Sequence, residues 1–536
     1  MDKWIEETRC YKATLPVSFG TNAYFIYRAW ANMSSRDSMP GVLFKNNADG
    51  EVVSNDVIVI GEEGNYVLAG ALTAFRSISF FRAIWRGGRF SEIQVEQPNI
   101  RPGETPEEVL VLKGADWREL LFQYADAAAE KCGRTPLDTS KNMTGYCTWY
   151  YYYKEVTGQN LLDNIDALAK NRSEFAAEYV QIDDGYQKFQ GDWFERNDSW
   201  PFTLKSAADR IKDAGMKPGI WLMPFVASTA SNVYKEHPQW FVQDAATGKP
   251  VERTGWSPAP DDKWCCLDAT NPEVIAYIQD VFRRFRDMGY SYFKLDGLNY
   301  GLTDGLRMDK NATSVSAFRL LVKAIKDAVP DCLLMACGGN YLVCLGLFDN
   351  ARASCDTSRN YAIPDYFPNQ NFPIIACSIR DAAHLTMNNF WRFDRWFRMD
   401  PDTLMARQDN AFYTFGEARI SVLTGILTGV CITSDNLATI APERYRLLGT
   451  SQKYRMRDAK PFKFNLCQWP QLFEGTIDGR RAVAVFNDSE TTMYCDFDKL
   501  GLPERCSELL TGAQFSFGTE LPPHDAALFT EAQAAK

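Results

Sequence analysis

The sequence predicts an α/β chain in which a central (β/α)8 barrel carries an N-terminal β-sandwich and a small C-terminal antiparallel β-domain. Three observations predict it. Between residues 143 and 436, apolar runs of roughly five to nine residues alternate with stretches of helical periodicity, the pattern of parallel strands joined by crossover helices. On both sides of that region period-two alternation broken by Gly, Asn and Pro takes over, as antiparallel sheets require. Finally, 536 residues exceed one hydrophobic core, since domains run to about 100–200 residues and large barrels to about 250. Three units follow: 1–138 (sandwich with linker helix), 139–440 (barrel) and 441–536 (terminal β-domain).

Taken in order, the runs at 55–61, 66–73 and 92–96 predict sandwich strands. Residues 116–131 then set Leu120, Leu121, Tyr124 and Ala128 at helical spacing and predict a connecting helix. Eight barrel-strand candidates follow, at 143–151, 178–184, 217–225, 290–298, 332–338, 351–356, 388–396 and 429–434. One intervening helix is well signed, with Asn271 as its cap, Pro272 in its first turn and Val274, Ile275, Ile278, Val281, Phe282 and Phe285 along one face. Leu161, Leu162, Ile165, Leu168 and Ala169 mark another. Beyond about 440 alternation resumes, without long helices, at 471–477, 481–487 and 492–497.

Bulk properties narrow the partner. A formal charge of −10 opposes binding to nucleic acid or an anionic membrane, both of which need a concentrated positive field. No apolar stretch approaches the ~18–20 residues needed to span a bilayer. The amino-terminal MDKWIEETRC has acidic residues where an export signal places positive charge, so a cytoplasmic location is expected. Fourteen cysteines show no repeated disulfide spacing and are expected as buried thiols. The three histidines, His237, His384 and His524, stand at no metal-ligand spacing, so a zinc enzyme or a His-based triad is disfavoured.

A barrel builds its site at the carboxyl ends of its strands, and charged residues ending apolar strands are therefore the ones to question. YVQIDDG ends in Asp183 and Asp184, YFKLDG carries Lys294 and Asp296, and ARASCDTS carries Arg352 and Asp356. Lys294 and Asp296 are two apart, on one side of a strand, where the ammonium favours the ionised carboxylate. Arg352 lies four residues before Asp356, within reach of it or of a ligand hydroxyl. Two carboxylates flanking a sugar are the minimal apparatus of glycoside hydrolysis. The same acidic cluster in a metal-dependent hydrolase would bind a divalent cation, although Lys294 opposes this; a sugar-binding protein without catalysis is a third reading. Rim salt bridges would be the bland one.

The ordered motifs YVQIDDGYQ, GDW (191–193), DAGMKPGIWLMPF (213–225), LDATNPEV (267–274), YFKLDG, CGG with ARASCDT, MDPDTLMAR (399–407) and TSDNL (433–437) make the chain resemble the α-galactosidases of glycoside hydrolase family 36 and, more distantly, family 27. The resemblance implies cofactor-free, retaining hydrolysis of terminal α-galactosides, with Asp296 as nucleophile and Asp356 as general acid/base. It implies that Asp183 and Asp184 grip the 4- and 6-hydroxyls, that Lys294 and Arg352 bond ring hydroxyls, that Trp221 forms an apolar wall, and that Cys337 lies beside the 2-position. α-N-Acetylgalactosaminides are the competing substrates, galactosyl transfer the competing outcome, and a homo-oligomer the implied assembly. The chain departs from the family where TGYCTWYYYY replaces a GWNSW-like first strand, putting Cys147 or its neighbour where relatives have Asn. GLNYG after Asp296 is a further departure. Trp30 and Trp85 are the candidates for the tryptophan that some relatives send into the site from the sandwich.

Overall fold

The computed structural model describes residues 3–5, 10–21, 23–29, 41–46, 48–101, 103–255, 261–362, 365–366, 375–462 and 471–532. Two antiparallel five-stranded sheets form the N-terminal part. One runs in the order Lys3–Ile5, Cys10–Pro16, Arg89–Pro98, Phe80–Arg86, Gly50–Asn55, and the other in the order Val109–Gly114, Asn65–Ala71, Val57–Glu62, Phe25–Arg28, Gly41–Phe44. Helix α1 (Trp117–Lys131) follows, its first turn capped by the Asp116 side chain and its Leu120, Leu121, Tyr124 and Ala128 buried as their spacing requires. Trp85 belongs to the sandwich, where it is buried against Phe90 and donates its indole N–H to the Ala48 carbonyl. Trp30 lies outside the described residues.

The barrel strands are β1 (Met143–Cys147), β2 (Tyr179–Ile182), β3 (Lys217–Leu222), β4 (Tyr292–Leu295), β5 (Leu333–Ala336), β6 (Asn350–Arg352), β7 (Arg398–Asp400) and β8 (Val430–Thr433). They form one sheet in the order β7-β6-β5-β4-β3-β2-β1-β8, with every pairing parallel. Closure between β7 and β8 comes from just past β7: the Leu404 N–H reaches the Ile432 carbonyl at 2.7 Å, in a parallel bridge to Thr433. The helix capped by Asn271, Pro272–Met288, buries Val274, Ile278, Val281, Phe282 and Phe285 and ends on Gly289 in the left-handed conformation.

Two strand expectations are corrected. The run 388–396 is not the seventh strand; it finishes a helix (Ile379–Asn388) and makes a 3₁₀ turn (Phe390–Arg392). Its aromatics are apolar because they face the N-terminal part: Trp391 donates to the Tyr27 hydroxyl at 2.8 Å, and Trp396 donates to the Ala125 carbonyl of α1 at 2.9 Å. The seventh strand is three residues long, too short to show a period. The first candidate is also too long: β1 ends at Cys147, and Trp149–Tyr152 forms a helical turn at the barrel mouth.

After β8 an unexpected helix, Pro442–Lys453, packs on the barrel, its end held where the Asn142 amide donates to the carbonyls of Ser451 and Tyr454. The C-terminal six-stranded sheet runs Arg457–Pro461, Leu472–Ile477, Arg480–Asn487, Asp525–Glu531, Arg505–Glu508, Gln514–Ser516. Val483, Val485, Phe497 and Phe529 form a separate small core there. The thirteen described cysteines are free thiols. Among the described residues no helix is long and apolar enough to cross a membrane.

Candidate active site

The carboxyl ends of β1 to β7 bring the sequence-predicted residues into one connected network. Asp183 follows β2 and is buried; its Oδ2 accepts from the Lys294 ammonium at 2.9 Å, the Gln181 amide at 2.5 Å and the Cys147 thiol at 3.4 Å. Cys147 therefore keeps a polar contact at the departure from the family pattern. Asp184, also buried, accepts from the Gln187 amide at 2.5 Å. Lys294 points from β4 to Asp183 rather than bonding Asp296 directly, and its ammonium lies 5.9 Å from the centre of the Tyr150 ring.

Asp296 ends β4. Its Oδ2 accepts the Trp221 indole N–H at 3.0 Å, and its Oδ1 accepts the Gly297 N–H at 2.6 Å. That turn requires glycine: Gly297 has φ 59°, and a Cβ there would come within 2.1 Å of the Met223 side chain. Burial pushes the Asp296 carboxyl up, but the Lys294 charge and the donors Trp221, Cys337 and Gly297 outweigh it and hold the group below 3.8. Ionised Asp296 is a carboxylate fixed on two sides by N–H donors, the state a nucleophile needs. The fully buried Trp221 thus does more than line a wall.

Asp356 stands on the other side of the network. Its Oδ1 accepts from the Tyr150 hydroxyl at 3.1 Å and from Arg352 at 3.3 Å, and its side chain keeps 28% of its surface exposed. Arg352, at 1% exposure, also donates to Tyr150 at 3.2 Å, to the Cys337 sulfur at 3.6 Å and to Asp402 at 3.0 Å. The Cys337 sulfur accepts from Arg352, and its thiol is among the influences that lower the Asp296 carboxyl. Burial pushes its thiol well up, with the Asp296 charge adding, so it serves as a neutral donor.

Tyr150 and Asp402, like the amides of Gln181 and Gln187, were not singled out from sequence. Tyr150 belongs to the tyrosine run 150–153, and only the turn after β1 shows which ring enters. Asp402 lies within MDPDTLMAR but was hidden by the misplaced seventh strand, whose true end it follows. Asp183, Asp296 and Asp356 are each met by N–H, O–H, thiol or ammonium donors. Among the described residues no group of His, Cys, Asp and Glu is arranged to hold a metal ion.

Residues 148–348, covering β2 to β5, match the family model described as Melibiase. The bifunctional alpha-galactosidase/sucrose kinase AgaSK of Mediterraneibacter gnavus is 24% identical over 251 residues, 45% of this chain and 25% of that protein. Alpha-galactosidase AgaA of Geobacillus stearothermophilus is 23% identical over 151 residues, 26% of this chain and 20% of that protein. The matched stretches thus span a quarter or less of these two relatives. Among solved structures, the alpha-galactosidase TtGalA of Thermus thermophilus, in complex with p-nitrophenyl alpha-D-galactopyranoside, superposes with a TM-score of 0.68 at 23% identity, covering 88% of this chain and 92% of that one.

Proposed function

We propose that this chain, which carries a Melibiase domain over residues 148–348, hydrolyses terminal non-reducing α-galactosides by double displacement. The observation that carries the reading is the pairing of an ionised Asp296, fixed by the Trp221 and Gly297 N–H groups, with a partly exposed Asp356 held by Tyr150 and Arg352. The alpha-galactosidase relatives support the choice of glycone.

In the first step an Asp296 oxygen bonds to C1 as the C1–O bond to the leaving group breaks. Asp356 gives its proton to the departing oxygen, which leaves as an alcohol. Water then attacks C1, passing a proton to Asp356, and the bond to Asp296 breaks with return of its carboxylate. Asp183 and Asp184 offer acceptors, and Lys294 and Arg352 donors, for ring hydroxyls. Tyr150 and Arg352 hold Asp356 toward the glycosidic oxygen.

Asp356→Ala tests this assignment. Its kcat is expected to fall about 10²–10⁴-fold on an alkyl α-galactoside, which needs protonation of the leaving oxygen. A 2,4-dinitrophenyl α-galactoside should lose far less at the galactosylation step, and equal losses on both would remove Asp356 from the role of acid. A parallel assay of aryl α-galactoside and α-N-acetylgalactosaminide distinguishes the glycones. Dialysis against EDTA should leave the rate unaltered, and a loss restored by a divalent ion would favour the metal-dependent reading.

A further inference from the structure

Asp402 is buried, at 4% exposure, two residues past the end of β7. Its Oδ1 lies 3.0 Å from Arg352, the cation that also holds Asp356. Its Oδ2 accepts the backbone N–H of Thr357, the residue directly after Asp356, at 2.7 Å. One carboxylate thus grips the Asp356 segment twice, through a guanidinium and through the adjoining amide. Asp402 itself is held at φ 82°, a conformation that L-residues other than Asn and Asp seldom adopt, with its N–H bonded to Asp400 Oδ1 at 3.0 Å. Backbone held in such a region marks a position where the aim of a side chain matters.

We propose that Asp402 is a positioning residue for the general acid, fixing the orientation of Asp356 through Arg352 and the Thr357 amide. This rests on the α-galactosidase reading above. The charged groups that act on Asp402 are Arg352 and Lys294 on the positive side and Asp356 and Asp400 on the negative; the neutral Tyr150 and Cys377 lie close to it. Burial pushes the Asp402 carboxyl up to about 7 against the Arg352 charge, and the negative charges of Asp356 and Asp400 push the same way. Both Asp402 oxygens accept N–H donors, and the bond to Arg352 keeps that guanidinium from pairing with Asp356 alone.

The test is Asp402→Asn in the full chain, which removes the charge while leaving an acceptor for the Thr357 N–H. The expected kcat loss is about 10–100-fold on an alkyl α-galactoside and a few-fold on a 2,4-dinitrophenyl α-galactoside, with little change in KM. A second variant, Asp402→Glu, keeps a carboxylate able to reach Arg352 and should lose only a few-fold in kcat on the alkyl α-galactoside. Equal losses across leaving groups, or a loss in Asp402→Glu as large as that in Asp402→Asn, would overturn the proposal. Failure of the parent protein on every α-galactoside would instead overturn the functional reading itself.

Discussion

Asp296→Gly is expected to lower turnover of aryl α-galactosides by about 10⁴-fold or more, the scale seen when a catalytic nucleophile is removed. Added azide should restore consumption of an activated aryl α-galactoside and yield β-galactosyl azide. The anion fits the space the carboxylate leaves and attacks C1 from the same face, inverting the α-linkage. Recovery of the α-azide instead would contradict the assignment. The variant should fold, because the buried partner of Lys294 is Asp183, 2.9 Å away, and that pair survives the change. The pH dependence has a definite sign. Asp296 is held below 3.8 in the fold, so the stability that its ionised form contributes is present above that ordinary value and is lost as pH falls through the lower folded one. Activity should likewise persist well into the acid range before this carboxylate protonates.

Lys294→Met carries the second large effect, on stability and chemistry together. Lys294 and Asp183 are 5% and 3% exposed in their side chains, and removing one member of so buried a pair leaves a charge without its partner. Such a loss costs about 3–5 kcal/mol, which for a domain of this size lowers the melting temperature by roughly 6–20 °C. The second consequence falls on Asp296, for which the Lys294 charge is the first of the influences opposing burial. Without it the acid limb of kcat/KM should move to higher pH. A calorimetric scan and a pH–rate profile check the two parts, and an unmoved acid limb would show that Trp221, Cys337 and Gly297 suffice to hold the carboxylate ionised.

Most of the site was legible because strand ends have a rule. A carboxylate or ammonium closing an apolar run is costly unless something meets it, and Asp183, Asp184, Lys294, Asp296, Arg352 and Asp356 all announced themselves that way. The same rule missed Asp402 because it was applied to the wrong strand. The aromatic run 388–396 looks like a strand, yet Trp391 and Trp396 are apolar in order to bond Tyr27 and α1. The three-residue β7 has no period to read. Tyr150 escaped for a related reason: in a run of four tyrosines, composition is identical and only the backbone turn distinguishes one ring from the next.

The sequence by itself determined the alternation that makes a parallel barrel, the capped helix Pro272–Met288 and the carboxylates at the strand ends, since each depends on residues close together along the chain. The tertiary structure alone decided that Lys294 bonds Asp183 while acting on Asp296 through its charge, that Arg352 reaches the Cys337 sulfur, and that Asp402 reaches back to the amide beside Asp356. Those contacts join strands separated by tens of residues. Spacing along a strand says which side a side chain takes, but the partner it meets is set by the closure of the barrel.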